Sequence, residues 1–127
     1  MTDMGLFRIT VGVERARERS PVIEVPDTLV DTGGEATWIP RRVLESLGVK
    51  VERLRAFIVA DGRRIEREIG FAIIHAAGTW TVDEVVFGEE NDFPVLGAHS
   101  LEGLNLRADP VRKTLVDAGP ILAVAAA

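Results

Sequence analysis

Five residues, Leu29-Val30-Asp31-Thr32-Gly33, constrain this chain more than any other stretch. Two aliphatic residues favour an extended strand, and the acid, hydroxyl and glycine that follow suit a tight loop presenting one carboxylate. A second copy of the design lies downstream. The Asp31 segment leads to a short helix with Val43, Leu44 and Leu47 on one face, and Val95-Leu96-Gly97 leads to a helical turn around Ser100 to Leu104. Each copy is an apolar strand, a glycine loop and a short helix, and only the first carries an acid at its loop.

The rest of the chain reads mostly as strand. Phe7, Ile9, Val11 and Val13 alternate with Arg8, Thr10 and Gly12, the period of a half-buried strand. The charged run Glu14 to Arg19 then reads as a solvated hairpin loop of mixed sign. A second strand starts at Val22 and runs past Pro26 into the Asp31 loop, while Pro40 opens and Gly48 closes a helix of about two turns. From Leu54 to Phe87 the pattern is a three-stranded meander. Asp61-Gly62, between Phe57-Ile58-Val59-Ala60 and Ile65, signals a type I′ turn with positive φ at both central residues. Ile65, Ile69, Phe71 and Ile73 alternate in the returning strand, Gly78 turns again, and Trp80 at the start of the third strand is expected in the core. The acidic segment Gly88 to Asp92 reads as surface, with carboxylates suited to weak cation binding. Without a linker or low-complexity segment, residues 1–127 read as a single domain, with its core at about 5–117 and an apolar tail at 118–127.

Several function classes are disfavoured. A formal charge of −5 argues against a nucleic-acid partner. No cysteine is present, which removes disulfides, thiolate catalysis and thiolate metal sites together. The two histidines, His75 and His99, form no ligand-spaced cluster, so neither metal nor cofactor is expected; His75 reads as a sheet residue with a local partner and His99 as surface. Met1 to Gly5 lacks the basic and apolar regions of a signal peptide, and the longest apolar stretch, Ile121 to Ala127, is too short to span a bilayer. A cytoplasmic location and no membrane partner are the expectation.

Asp31-Thr32-Gly33, followed by Gly34-Glu35-Ala36-Thr37-Trp38-Ile39-Pro40 and later by Phe93-Pro94-Val95-Leu96-Gly97, Leu101-Glu102-Gly103-Leu104 and Asp109-Pro110, resembles the retropepsin-like (retroviral-type, clan AA) aspartic proteases. The likeness is strongest to their small prokaryotic cellular branch and covers roughly residues 5–117. It implies a mainly β, closed-barrel-like fold, the acid-protease half-molecule, with one or two short helices. The strand-loop-helix repeat looks like that family's pseudo-twofold. Since the chemistry needs two facing carboxylates and the chain supplies one, the resemblance implies a homodimer in which each protomer contributes Asp31 as the catalytic residue. The activity implied is that of an aspartic endopeptidase acting on a peptide or protein through an activated water, with no metal.

The same likeness assigns supporting roles. Thr32 would brace the two loops across the dyad, Gly33 would let substrate backbone approach, and Glu35 stands where the family usually has a shorter Asp that receives peptide main chain. Thr37 matches a common Thr of the family. Departures are Gly34, Glu35, Ala98 in place of an Arg, and the bulky Trp38, which divides between core and specificity pocket. The hairpin tip Ala60-Asp61-Gly62 stands where the family places its flap, with an exposed hairpin free of substrate contact as the alternative. Leu29, Trp38 and Ile58 are candidate apolar walls, and Met4 to Phe7 and Ile121 to Val124 are candidates to pair at the dimer interface. Two other function classes stay open: a proteolytically silent peptide-binding or dimerisation module on the same fold, and an unrelated β-domain with a coincidental Asp-Thr-Gly.

Overall fold

A computed structural model describes residues 7–126. Nine strands and two helices follow in order: β1 Phe7–Arg15, β2 Ile23–Asp31, β3 Thr37–Pro40, α1 Arg41–Leu47, β4 Arg53–Ile58, β5 Arg64–Ala76, β6 Thr79–Gly88, β7 Val95–Gly97, α2 Ala98–Leu104, β8 Leu106–Asp109 and β9 Thr114–Asp117. Seven strands form one sheet in the order β1-β2-β7-β3-β6-β5-β4, and β1 also pairs with β5. That extra pairing, Gly12 opposite His75 through Arg15 opposite Ala72, closes six strands into a ring and leaves β4 at the edge. The fold is mainly β, as the alternation predicts.

Inside the ring the inward residues of the alternating strands meet. Val11, Val13, Val30, Ile39, Ile74, Val85, Phe87 and Leu96 are buried there. Both helices lay an apolar face on this core, Val43, Leu44 and Leu47 from α1 and Leu101 and Leu104 from α2. The expected stop of α1 is present. Gly48 adopts φ 76°, and its N–H and that of Val49 return to the carbonyls of Glu45 and Leu44 at 3.0 and 2.9 Å, closing the helix end with backbone alone.

Several expectations change. The hairpin after β4 is not a type I′ turn, because only Gly62 has positive φ, at 89°. The Gly62 N–H donates to the Val59 carbonyl at 2.8 Å and Val59 N–H to Arg63 O at 2.9 Å, which makes a three-residue loop with glycine in the left-handed position. Trp80 is half exposed under the Arg19 guanidinium instead of buried in the core. The β8–β9 hairpin was not anticipated, although Asp109-Pro110 is its turn signal: the Asp109 carboxylate accepts the N–H groups of Val111 and Arg112 at 3.1 Å each. Phe7 is buried and pairs with Val30 inside the sheet, whereas Met4 to Leu6 lie outside the described residues. Ile121, Leu122 and Val124 are highly exposed on a chain without regular structure.

The charged run is also not simply solvated. Glu14 is buried, and its carboxylate accepts from Arg19 Nε and Nη2 at 2.7 and 2.8 Å and lies 2.6 Å from His75 Nε2. Hydrogen bonding from Arg19 first, then from His75, holds the Glu14 carboxyl at about 2, against an ordinary 4.5. A carboxyl with a depressed folded-state value stabilises the fold above its ordinary value, and the benefit disappears as the pH falls through the folded one. Wild-type stability should therefore fall between pH 4.5 and 2 relative to Glu14→Gln, the variant being the less stable at pH 7. Parallel stability curves for the two proteins in urea melts across that range would overturn this.

The acidic loop is likewise engaged. Glu89 binds Arg41, and Asp92 binds Arg67 in a bidentate pair at 2.7 and 3.0 Å that holds its carboxyl below its usual value. Among the described residues no group of three or more His, Asp or Glu is placed to hold a metal ion, and no helix is long and apolar enough to cross a membrane.

Candidate active site

β2 delivers Asp31 beside β7. The two strands run parallel, with Leu29, Val30 and Asp31 opposite Val95, Leu96 and Gly97. The two copies of the strand-loop-helix repeat therefore meet at their loops, the acid of the first facing the glycine of the second.

The Asp31 carboxylate is fixed locally, Oδ1 accepting the Gly33 N–H at 2.9 Å. Two glycines follow it: a Cβ at Gly34 would crowd Oδ2 at 3.3 Å, while one at Gly33 would lie in ordinary contact with Oδ1 at 3.4 Å. Downstream, the start of α2 ties down the rest of the loop. Ala98 N–H donates to Gly34 O at 2.8 Å and His99 N–H to Glu35 O at 3.1 Å. Thr32 is exposed, and its side chain makes no hydrogen bond among the described residues.

Asp31 opens onto a cleft of about 1190 Å³. Gly33, Glu35, Trp38 and Ala60 line it as well, so five of the eight predicted site residues come together there. Asp61 and Gly62 do not line the cleft. At the exposed tip the Arg63 side chain and backbone N–H, at 2.8 and 3.1 Å, hold the Asp61 carboxyl below its ordinary value. Trp38 proves to be a cleft residue: its ring meets Phe57 of β4 at 5.1 Å between centroids, and Arg67 lies over it at 5.9 Å. This pair joins the cleft floor to β4 and forms an apolar wall of the cleft. Ile58 lines the cleft and Leu29 does not; its neighbours on β2, Thr28 and Val30, are fully buried.

One group of residues was missed. Thr37, Asp83 and Ser100 are buried and hydrogen-bonded to one another beneath the loops, with His99 at the rim. The signal was Asp83 itself, a carboxylate at an inward position of a strand whose neighbouring inward positions hold Thr81 and Val85.

No protein-family model matches the chain, and neither does any curated sequence. Among solved structures it is similar to the retroviral protease-like domain of Ddi1 from Leishmania major, with 18% identity and a TM-score of 0.50 over 87% of each chain. A retropepsin-like aspartic protease from Rickettsia conorii matches with 17% identity and a TM-score of 0.47, over 87% of this chain and 88% of that one. The mainly β ring, its parallel meeting of two loops and the Ddi1 likeness together give this chain the retropepsin-like fold.

Proposed function

We propose that the protein is an aspartic endopeptidase whose active site is completed by a second copy of the chain. The observation that carries this reading is the position of Asp31: a locally anchored carboxylate on the floor of a large cleft, opposite a glycine and not a second acid. One chain supplies half of a carboxylate pair, and a twofold axis at the loop supplies the rest.

Two carboxyl groups held about 3 Å apart cannot both ionise cheaply, as in aspartic proteases generally, so the pair shares one proton. The ionised member takes a proton from water as it adds to the scissile carbonyl carbon, and the protonated member donates to the carbonyl oxygen. No covalent acyl intermediate forms. Substrate lies extended between the floor and the β4–β5 hairpin, with one side chain against Trp38 and Phe57. Thr32, exposed beside Asp31, bridges to the partner's loop, and Glu35 receives peptide main chain.

The test is concentration. At low protein concentration, cleavage of a denatured protein mixture should rise with about the square of chain concentration, because the active species is a dimer. A rate per chain that stays constant through a range in which sedimentation shows only monomers would overturn the shared site.

A second reading, a module that binds peptides without turning them over, has one observation behind it: at the hairpin tip Asp61 is ion-paired to Arg63, and Asp61 and Gly62 do not line the cleft. Saturable peptide binding by a pure dimer, with no cleavage products by mass spectrometry, would favour this reading.

A further inference from the structure

The buried carboxylate of Asp83 has no part in the water chemistry above, yet two of its hydrogen bonds run to the start of α2, beside the Asp31 loop. Its Oδ1 accepts the Glu84 N–H at 2.7 Å and lies 2.8 Å from His99 Nδ1, and its Oδ2 accepts the Ser100 hydroxyl at 2.6 Å. Ser100 and Thr37, both fully buried, stand 2.6 Å apart, and Thr37 Oγ1 accepts the Gly97 N–H at 3.0 Å.

Proton counting gives this chain a direction. Ser100 has one hydroxyl proton, and it goes to Asp83. The Thr37 proton must then go to Ser100, and Thr37 oxygen is left to receive Gly97 N–H. The order is Gly97 to Thr37 to Ser100 to Asp83, each group donating to the next, with a carboxylate as the acceptor at its end. Hydrogen bonds aligned this way polarise one another in a dry interior. Gly97 is the residue paired with Asp31, and the adjacent Ala98 and His99 N–H groups hold the carbonyls of Gly34 and Glu35.

We propose that Asp83 is a positioning residue for the Asp31 loop, acting through Ser100, Thr37 and Gly97; the catalytic part of this claim rests on the aspartic-protease reading above. An asparagine cannot replace it. Its single oxygen is needed by the Glu84 N–H, a donor that cannot reverse, so its amide would face Ser100 and turn the chain round. Thr37 would then hold a buried proton with no acceptor, because its other neighbour, the Gly97 N–H, is also a donor.

The experiment compares Asp83→Asn, Thr37→Val and Thr37→Ser as purified dimers, the last keeping the hydroxyl. If the wild type cleaves, kcat should fall on the order of ten- to a hundredfold in the first two with KM within about twofold, and should be largely retained in Thr37→Ser. Hydrogen exchange at the Gly97 amide should accelerate in the same two variants. A kcat within about twofold of wild type in folded Asp83→Asn would overturn the proposal even if its melting temperature fell, since a merely structural role moves stability alone. Should the wild type cleave nothing, the protease reading fails by itself, and the brace is then decided by Gly97 exchange: faster in Asp83→Asn supports it, unchanged overturns it. If Asp83→Asn does not fold, the Thr37 pair decides the question.

Discussion

Replacing Asp31 by asparagine is expected to lower peptide cleavage by on the order of 10⁴-fold or more, because one substitution removes both the general base and the shared proton from a symmetric site. The fold should survive. The amide is nearly isosteric, its oxygen still accepts the Gly33 N–H, and Asp31 is only half buried on the cleft floor. Circular dichroism and sedimentation should thus match the wild type while product formation vanishes. Mixing adds a sharper outcome. Excess Asp31→Asn chain equilibrated with wild type should suppress the wild-type rate, since a mixed dimer holds a single carboxylate. Normal turnover by a folded, rigorously purified Asp31→Asn protein would remove the proposed chemistry altogether.

The candidate site was legible where residue type dictates geometry. Asp31, the flanking glycines, the Gly48 helix stop and the three-stranded meander follow from short-range rules, and the structure has each of those local features. What could not be read depended on which distant residues meet. Glu14 sits in a run of alternating charge that looks solvated, and only the closure of β1 on β5 brings His75 over it. Trp80 has the residue type of a core position but sits on the outer side of that junction, under Arg19. Asp61-Gly62 carries the signal of a two-residue turn, and the chain spends one further residue, Ala60, in the loop. Asp83 is not legible because its partner Ser100, and Thr37 bonded in turn to Ser100, come from either side of it in sequence and converge only where β3, β6 and α2 pack.

Gly97→Ala is the second substitution expected to have a large effect, here on stability. A Cβ at this position would stand 2.6 Å from the carbonyl oxygen of Glu35 and closer still to that of Ala36. Both obstacles are backbone, held in place by α2 and by β3, so neither can rotate aside. Relief requires β7 to part from the Asp31 loop, breaking the Gly97 bond to Thr37 and the parallel pairing with β2. Overpacking of this kind costs about 3 kcal/mol or more, which in a chain of this size lowers the melting temperature by roughly 10 °C. Gly33→Ala is the control. The nearest atom to its Cβ would be a carboxylate oxygen 3.4 Å away, and the backbone there is not in the left-handed region, so its melting temperature should stay close to wild type. Equal melting temperatures for Gly97→Ala and the wild type would show that β7 has slack the close approach does not suggest.

The parallel pairing of β2 with β7 also sets an order of events in time. Asp31 meets Gly97 across about half the chain, and β1 meets β5 across a similar span, while the β4–β5–β6 meander needs only neighbours. Contacts that close long loops repay their entropy late, and sheets dominated by them assemble in about milliseconds to seconds. During synthesis, β7 leaves the ribosome after most of the other strands, so the carboxylate waits without the neighbour that shapes its loop. Under the proposed chemistry, a nascent or half-folded chain would lack the assembled loop, and cleavage would begin only after the chain's own segments had folded.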